Sequence, residues 1–417
     1  MNGWKTSLVK YFSAGVKQGC APELGVEVEH FILDKESRRA IPYSGERGVR
    51  QVLTRLMSFY PEAVVLPDDD FFGFSVPDFI ITLEPAAQLE ISIAPMEFIK
   101  RIGEVYESFC DNINQVLEEY GYALYNFGCQ PLSKVAELEM IPKRRYDLMN
   151  AYFQNSGTGG MEMMRGSASL QVSIDYQSEE DFRKKLQAAQ YYAPFFKLFC
   201  DNAPAFQGEP VQTYLKRTDI WRRTDPSRCG ILPDVFSESY GFLNYVDFLG
   251  SMPPIFLKNR GEVVPTGSRT VEELFSGSDM KEEEITHILS MAFPDIRLKQ
   301  FLEIRFADSV QLPFILAYCA LVKGLLYGTE GLKYAEERIP GDRITEVSVR
   351  NAEDALMLQG WSADVYGSPA KKQAETMLSM ARRSLPENEQ VYLSAFDAVV
   401  KYEGIRNIPK EELQTFI

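Results

Sequence analysis

Four stretches of this chain alternate polar and apolar residues with a period of two, and every one places ionisable or amide side chains on a single face. In Gly25–Phe31, Glu27 and Glu29 share one side and Val26 and Val28 the other. In 88–93, Gln88, Glu90 and Ser92 oppose Leu89, Ile91 and Ile93. In 170–176, Gln171, Ser173 and Asp175 oppose four apolar residues, and in 301–306 Glu303 and Arg305 share a face. A strand points successive side chains to opposite faces, so each stretch reads as a strand with one buried and one polar side. Ordinary solvated strand faces prefer Thr, Lys or Arg, whereas Glu and Asp are poor strand formers. Like charges on one strand face are also costly unless a cation lies between them. The pattern therefore predicts a carboxylate-lined surface that holds a hard cation. Oxygen donors with no histidine or cysteine pair nearby select magnesium over zinc, copper or iron.

The stretches between these strands are helical. Phe98, Ile102, Val105, Phe109, Ile113, Val116 and Tyr120 recur at the helical period over 97–120. Further helices are predicted over 179–200 and 311–328. Beyond 369, Ala374, Met377, Leu378 and Ala381 form one stripe and Tyr392, Ala395, Phe396 and Val399 another, broken at Leu385-Pro386. Alternation rather than continuous apolar runs favours an antiparallel sheet with one face on the helices. The class is α+β.

The net charge of −15 sets 59 acidic residues against 44 basic ones and disfavours nucleic acid as a partner. No apolar run approaches the roughly 18 residues of a membrane span. The opening residues lack an unbroken apolar stretch followed by a small-residue cleavage site, so they do not read as a secretory signal. The six cysteines, Cys20, Cys110, Cys129, Cys200, Cys229 and Cys319, form no CxxC pair, which predicts reduced thiols and a cytoplasmic location.

Basic residues narrow the chemistry. Arg297, Lys299 and Arg305 bracket Glu303; Lys143, Arg144 and Arg145 form a second cluster, and Arg217, Arg222, Arg223 and Arg228 a third. Cations beside metal ligands in so acidic a chain suggest a polyanion such as ATP, whose phosphates are bridged by metal and gripped by arginine. Neither GxGxxG after a strand nor GxxxxGK[ST] nor GxSxG is present. With only His30 and His287, a histidine-based triad is hard to assemble; His30 lies on the Val26/Val28 face and reads as a core residue.

These segments resemble, in order, the motifs of the plant and proteobacterial glutamate–cysteine ligases, within the glutamine synthetase-like carboxylate–amine ligases. Leu24-Gly25-Val26-Glu27-Val28-Glu29 is similar to their G-x-E-x-E strand, and Leu83 to Ser92 to S-L-E-P-G-G-Q-x-E-L-S. Met140 to Tyr146 is similar to M-P-K-x-R-Y, and Met163-Met164-Arg165 with Gln171 to Asp175 to M-M-x-R-T-C-T-V-Q-V-N-L-D. Trp221 to Gly230 is similar to W-x-x-x-D-P-x-R-x-G, and His287 to Asp308 to H-L…F-P-x-V-R-L-K-x-x-L-E-x-R-x-A-D. Ala86-Ala87 stands where those proteins have a glycine pair, and Gly166 to Ser169 replaces T-C-T.

The resemblance covers roughly residues 4–330, and implies a catalytic domain over 1–330 with a mostly helical extension, 331–417, packed on it. It implies a curved, mainly antiparallel sheet whose concave polar face holds ATP, metal and glutamate, with helices on the other face. ATP would phosphorylate the γ-carboxylate of glutamate and an amine would displace phosphate. With cysteine as the amine, that is the γ-glutamylcysteine step of glutathione biosynthesis; the alternatives are another amine acceptor, a guanidino-type kinase, or a non-catalytic binding protein. Carried over by position, Glu27, Glu29, Glu84, Glu90 and Glu303 would bind Mg2+, with Gln171 beside the metal and nucleotide. Arg165 and Arg228 would hold the carboxylates of glutamate, and Arg297, Lys299 and Arg305 would face the phosphates. The expected partners are ATP, glutamate and an amino-acid amine, in a monomer or homodimer.

Overall fold

The alternating stretches become neighbouring strands in the computed structural model, which describes residues 3–68, 70–259 and 262–416. Among the described residues the main sheet has nine strands. They are β1 (Leu24–Asp34), β2 (Val64–Val65), β3 (Gly73–Ser75), β4 (Phe79–Leu83), β5 (Leu89–Met96), β6 (Tyr122–Tyr125), β7 (Ser169–Ile174), β8 (Ile296–Leu298) and β9 (Leu302–Asp308). Their order is β8-β9-β7-β1-β5-β4-β3-β2, with β6 pairing the outer end of β1. Every pairing in this sheet is antiparallel. Val26, Val28, Leu89, Ile91, Leu170, Val172 and Ile304 are all fully buried. Burial of each such side chain is worth about 1.5–3 kcal/mol. A one-residue slip would exchange these residues for the polar set, so the apolar face locks the register.

The helices that bear on the sheet and its polar face are α1 (Ile99–Tyr120), α2 (Arg144–Ser156), α3 (Gly160–Gly166), α4 (Glu179–Phe199), α5 (Lys216–Arg222), α6 (Leu312–Leu326), α7 (Thr329–Gly341), α8 (Glu346–Gln359), α9 (Ala370–Ser384) and α10 (Ser394–Tyr402). The first buries its apolar stripe and stops at Gly121, whose φ of 73° suits a left-handed cap. In α4 the Ser178 hydroxyl accepts from the Asp181 amide at 3.0 Å, with three acidic residues in the first turn, a favourable arrangement at the positive end of a helix. Helices α1, α4 and α6 pack against the sheet, giving the α+β architecture the alternation implied.

His30 sits in that core. Its Nδ1 lies 2.9 Å from the Leu89 carbonyl and its Nε2 2.7 Å from the Tyr106 hydroxyl, and burial pushes its pKa down to about 4. His287 lies in a helix over Glu282–Leu289 with Nε2 3.0 Å from the Phe256 carbonyl.

The residues after 330 lie against α4 and α6. A Cβ on Gly324 of α6 would come within 2.7 Å of the Ala381 backbone in α9. Phe199 of α4 stacks on Phe396 of α10 with ring centres 4.7 Å apart. The break at Leu385-Pro386 ends α9. Among the described residues no single helix is long and apolar enough to cross a membrane.

Candidate active site

Cross-strand register assembles the polar face. Residues directly opposite in an antiparallel pair project to the same side. Glu27 faces Ser92 on β5 and Gln171 on β7, while Glu29 faces Glu90, which in turn faces Thr82 on β4. Glu303 faces Ser173 on β7 and Arg297 on β8. Glu84 leaves β4 at a turn closed by its amide donating to the Gln88 carbonyl at 2.9 Å. Ala87, one of the two alanines in place of glycines, adopts φ 61° there, the left-handed region that glycine occupies at no steric cost. Gln88 locks the turn by donating to the carbonyls of Met164 and Ser167.

This face opens on a cavity of about 550 Å3 whose wall includes Glu27, Glu29, Glu84, Glu90 and Gln171. Its carboxylates fall into two groups. Glu303 is fully buried and receives Arg297 Nε at 2.6 Å, Lys299 Nζ at 2.6 Å and Arg305 at 2.8 Å. Burial opposes its charge, but the three cations outweigh burial and hold its carboxyl well below the usual range. The other four are pushed upward. Burial and then Glu90 and Glu303 raise Glu27 to about 7. Burial followed by Glu90 and Glu29 raises Glu84 well above its ordinary value. Glu90 is raised by burial and Glu29, although the Thr82 hydroxyl donates to it at 2.7 Å. Glu29 is raised by burial despite the nearby Arg217 guanidinium and the Ser169 amide and hydroxyl at 2.9 and 2.6 Å. Gln171 links the groups: its amide nitrogen reaches Glu29 at 3.4 Å, and its oxygen accepts from Arg305 at 2.7 Å.

Hard oxygen donors whose charges repel one another suit a divalent cation. Among the described residues no three such groups already converge closely enough to hold one. The donor chemistry fits, and the carboxylates would have to draw together around an ion.

The arginines are distributed differently from the sequence expectation. Arg228 is fully buried and spends its guanidinium on Asp225 at 2.6 Å, the Tyr152 hydroxyl and the carbonyls of Met291 and Pro253. Arg165 turns to Asn150 and the Leu138 carbonyl. Neither lines the cavity; Arg145 and Arg217 do. Arg145, in the first turn of α2, donates to the Ser290 hydroxyl and carbonyl. Arg217 of α5 lies over the Trp221 ring, its Nε buried without a partner. Sequence reasoning placed both in basic clusters but assigned neither a role; only the tertiary fold tells them from their neighbours. Arg297, Lys299 and Arg305 do line the cavity, gripping Glu303 rather than standing free.

An acidic cavity on the polar face of an antiparallel sheet, flanked by clustered cations, defines an α+β protein built to manage opposed charge at one site. The family model for glutamate–cysteine ligase family 2 (GCS2) matches residues 23–402, and the chain belongs to that family. It is 28% identical over 411 residues to the chloroplastic glutamate–cysteine ligase of Arabidopsis thaliana, covering 95% of this chain and 77% of that one. Its identity to the chloroplastic enzyme of Medicago truncatula is 27% over 409 residues, covering 95% and 79%. In fold it is similar to the glutamate–cysteine ligase of Francisella tularensis solved in complex with AMP, with a TM-score of 0.60, 11% identity, and coverage of 95% and 85%. The names of the plant relatives overturn one expectation: they are chloroplastic, which points to the plastid rather than the cytoplasm.

Proposed function

We infer that the protein is an ATP-dependent glutamate–cysteine ligase, forming γ-glutamylcysteine, ADP and phosphate in glutathione biosynthesis. Supporting this is the pairing, in one cavity, of carboxylates that repel one another with a triad of cations fixed on Glu303. A γ-carboxylate oxygen of glutamate attacks the γ-phosphorus of ATP, the bond to ADP breaks, and a γ-glutamyl phosphate results. The amine of cysteine then attacks the acyl carbon, phosphate leaves, and the nitrogen loses its proton.

A bound Mg2+, held by Glu27, Glu29, Glu84 and Glu90, would neutralise phosphate charge and polarise the transferring group. Glu303 sits beside that set, and its two oxygens are already engaged by cations. Arg305, fixed between Glu303 and Gln171, and Lys299 offer their remaining N–H groups to phosphate oxygens, as preorganised donors that need not reorient during reaction. Arg217 and Arg145 are the cavity arginines available to the α-carboxylate of glutamate, orienting the γ-carboxylate for in-line attack. Residues 1–330 form the catalytic unit in this reading, with 331–417 as its helical extension.

Positional isotope exchange in ATP, from the β,γ-bridge to non-bridge oxygens, is the test. Exchange supported by glutamate without any amine is expected. Exchange that requires only the second amino acid would mean that the amino acid's own group is phosphorylated. Mass detection of the amide from a panel of amines should place cysteine first.

A further inference from the structure

Behind the wall formed by Arg217, Trp221, Phe293 and Arg305 lies a second cavity of about 250 Å3, and these residues line both spaces. It falls just below the ~300–1,000 Å3 of sites for drug-sized ligands. The far side is built by the C-terminal segment, through Arg350, Glu353 and Asp354 of α8. Apart from Arg217 and Arg305, no residue given a role in the ligase reaction lines this space.

Its charges are unevenly matched. Lys197 is bonded to both Asp295 and Glu353, and Arg222 to Glu353 and Asp354, so those groups neutralise one another. Asp225 is taken by Arg228, and Arg305 by Glu303. Two guanidiniums remain. Arg217 is only 4% exposed and has a buried Nε without a hydrogen-bond partner; Glu29 and Asp308 act on it electrostatically, but no carboxylate lies within ion-pair distance among the described residues. Arg350 stands exposed at the mouth with no ion pair among the described residues. Between them the lining is apolar, with Ile231, Phe293 and Phe306. A buried guanidinium without a direct ion pair is costly, and an anion seated against it relieves that cost.

We propose that this annex is a binding site for a small organic monoanion, a carboxylate carried on an aromatic or branched apolar body. The carboxylate bridges Arg217 and Arg350 while the body lies against Ile231 and Phe293. Because Arg217 also faces the substrate cavity, an occupied annex competes for the charge that would meet glutamate. Occupancy therefore raises the KM for glutamate more than it lowers kcat. That kinetic consequence rests on the proposed ligase activity; the binding does not.

The test uses the full chain and 4-fluorobenzoate, followed by fluorine NMR. Saturable binding with a Kd on the order of 1 mM is expected for so small a ligand. Ile231→Trp, which fills the apolar floor, and Arg350→Glu, which reverses the charge at the mouth, should each weaken it at least tenfold. Neither residue lines the substrate cavity, so γ-glutamylcysteine formation without probe should stay within about twofold of the unmodified protein, a difference under about 0.5 kcal/mol. Absence of saturable binding overturns the proposal, as does equal binding by Arg350→Glu, the surface variant least able to disturb folding. Failure of the ligase reading would appear separately, as no amide product in the presence of normal probe binding.

Discussion

On one side of the cavity, three cations surround a single carboxylate at Glu303. On the other, Glu27, Glu29, Glu84 and Glu90 face one another with no cation paired directly to them among the described residues, and all four carboxyls are pushed upward although the cations of the site act from further off. Both sides are carboxylates on the same sheet face, so the difference lies in their neighbours. The Glu303 side is complete as it stands and can position its cations before any substrate arrives. The opposite side stores repulsion that a metal ion would release. Preorganisation and demand for a ligand are thus divided between the two edges of one site.

The largest test of that contrast is Glu303→Gln against Glu90→Gln. Both should lower turnover by roughly 100-fold or more, since each touches the charge around the transferring phosphoryl group. Their stabilities should separate. Removing the charge of Glu303 leaves three buried or half-buried cations facing a neutral group and should cost about 3–5 kcal/mol in urea unfolding. Removing one charge from the repelling set should cost nothing or stabilise. Equal stability losses would break the distinction.

The pH dependence of chelator-treated protein sharpens it. Burial, with Glu90 and Glu303 nearby, pushes the Glu27 carboxyl up to about 7 in the folded chain. In the unfolded chain it titrates at about 4.3, so the folded state holds an extra proton between those values and stability falls as pH rises through that window. Glu27→Gln should remove up to about 3 kcal/mol of that fall. The variant's advantage should be absent below about pH 3.5, complete above about 8, and erased by millimolar magnesium.

A smaller effect separates the arginines. Arg228→Lys should lower stability by about 2 kcal/mol, because lysine cannot span Asp225, Tyr152 and two carbonyls at once. Arg217→Lys should keep its unfolding midpoint and raise the KM for glutamate. The reverse outcome would restore Arg228 to the substrate-binding role that the motif resemblance gave it. Smallest of all, Ala87→Gly should change stability by less than about 1 kcal/mol, since relief at φ 61° is offset by greater freedom in the unfolded chain.

The period-two alternation makes the polar face legible in the sequence itself, because side-chain direction in a strand is a local property. Residues 97–120, 179–200 and 311–328 are equally legible as helices, and the observed α1, α4 and α6 fall within a few residues of those bounds. Partnering is not legible. Arg297, Lys299 and Arg305 stand visibly around Glu303, but nothing local shows that they close on the carboxylate. Arg228 and Arg217 stand in the same basic cluster. One is consumed by Asp225 and Tyr152 and the other left without a direct ion pair among the described residues, an outcome set by contacts from distant segments.

The pairing of β9 with β7 shifts by one residue between Ile304 and Ala307, so Arg305 and Phe306 together oppose Gln171. Such a bulge changes the phase of a strand. Upstream of it the polar face is reached by Glu303 and Arg305; downstream it is reached by Asp308, opposite Ser169. Losing either Arg305 or Phe306 would restore the regular ladder, with Ala307 still opposite Leu170 and Asp308 still opposite Ser169. What the bulge adds is a second side chain opposite Gln171, so that Arg305 turns to Glu303 and Gln171 while Phe306 packs against Phe196 of α4. The extra residue thus serves two contacts at one register position, and a variant one residue shorter here should keep the facing of Asp308 while losing one of them.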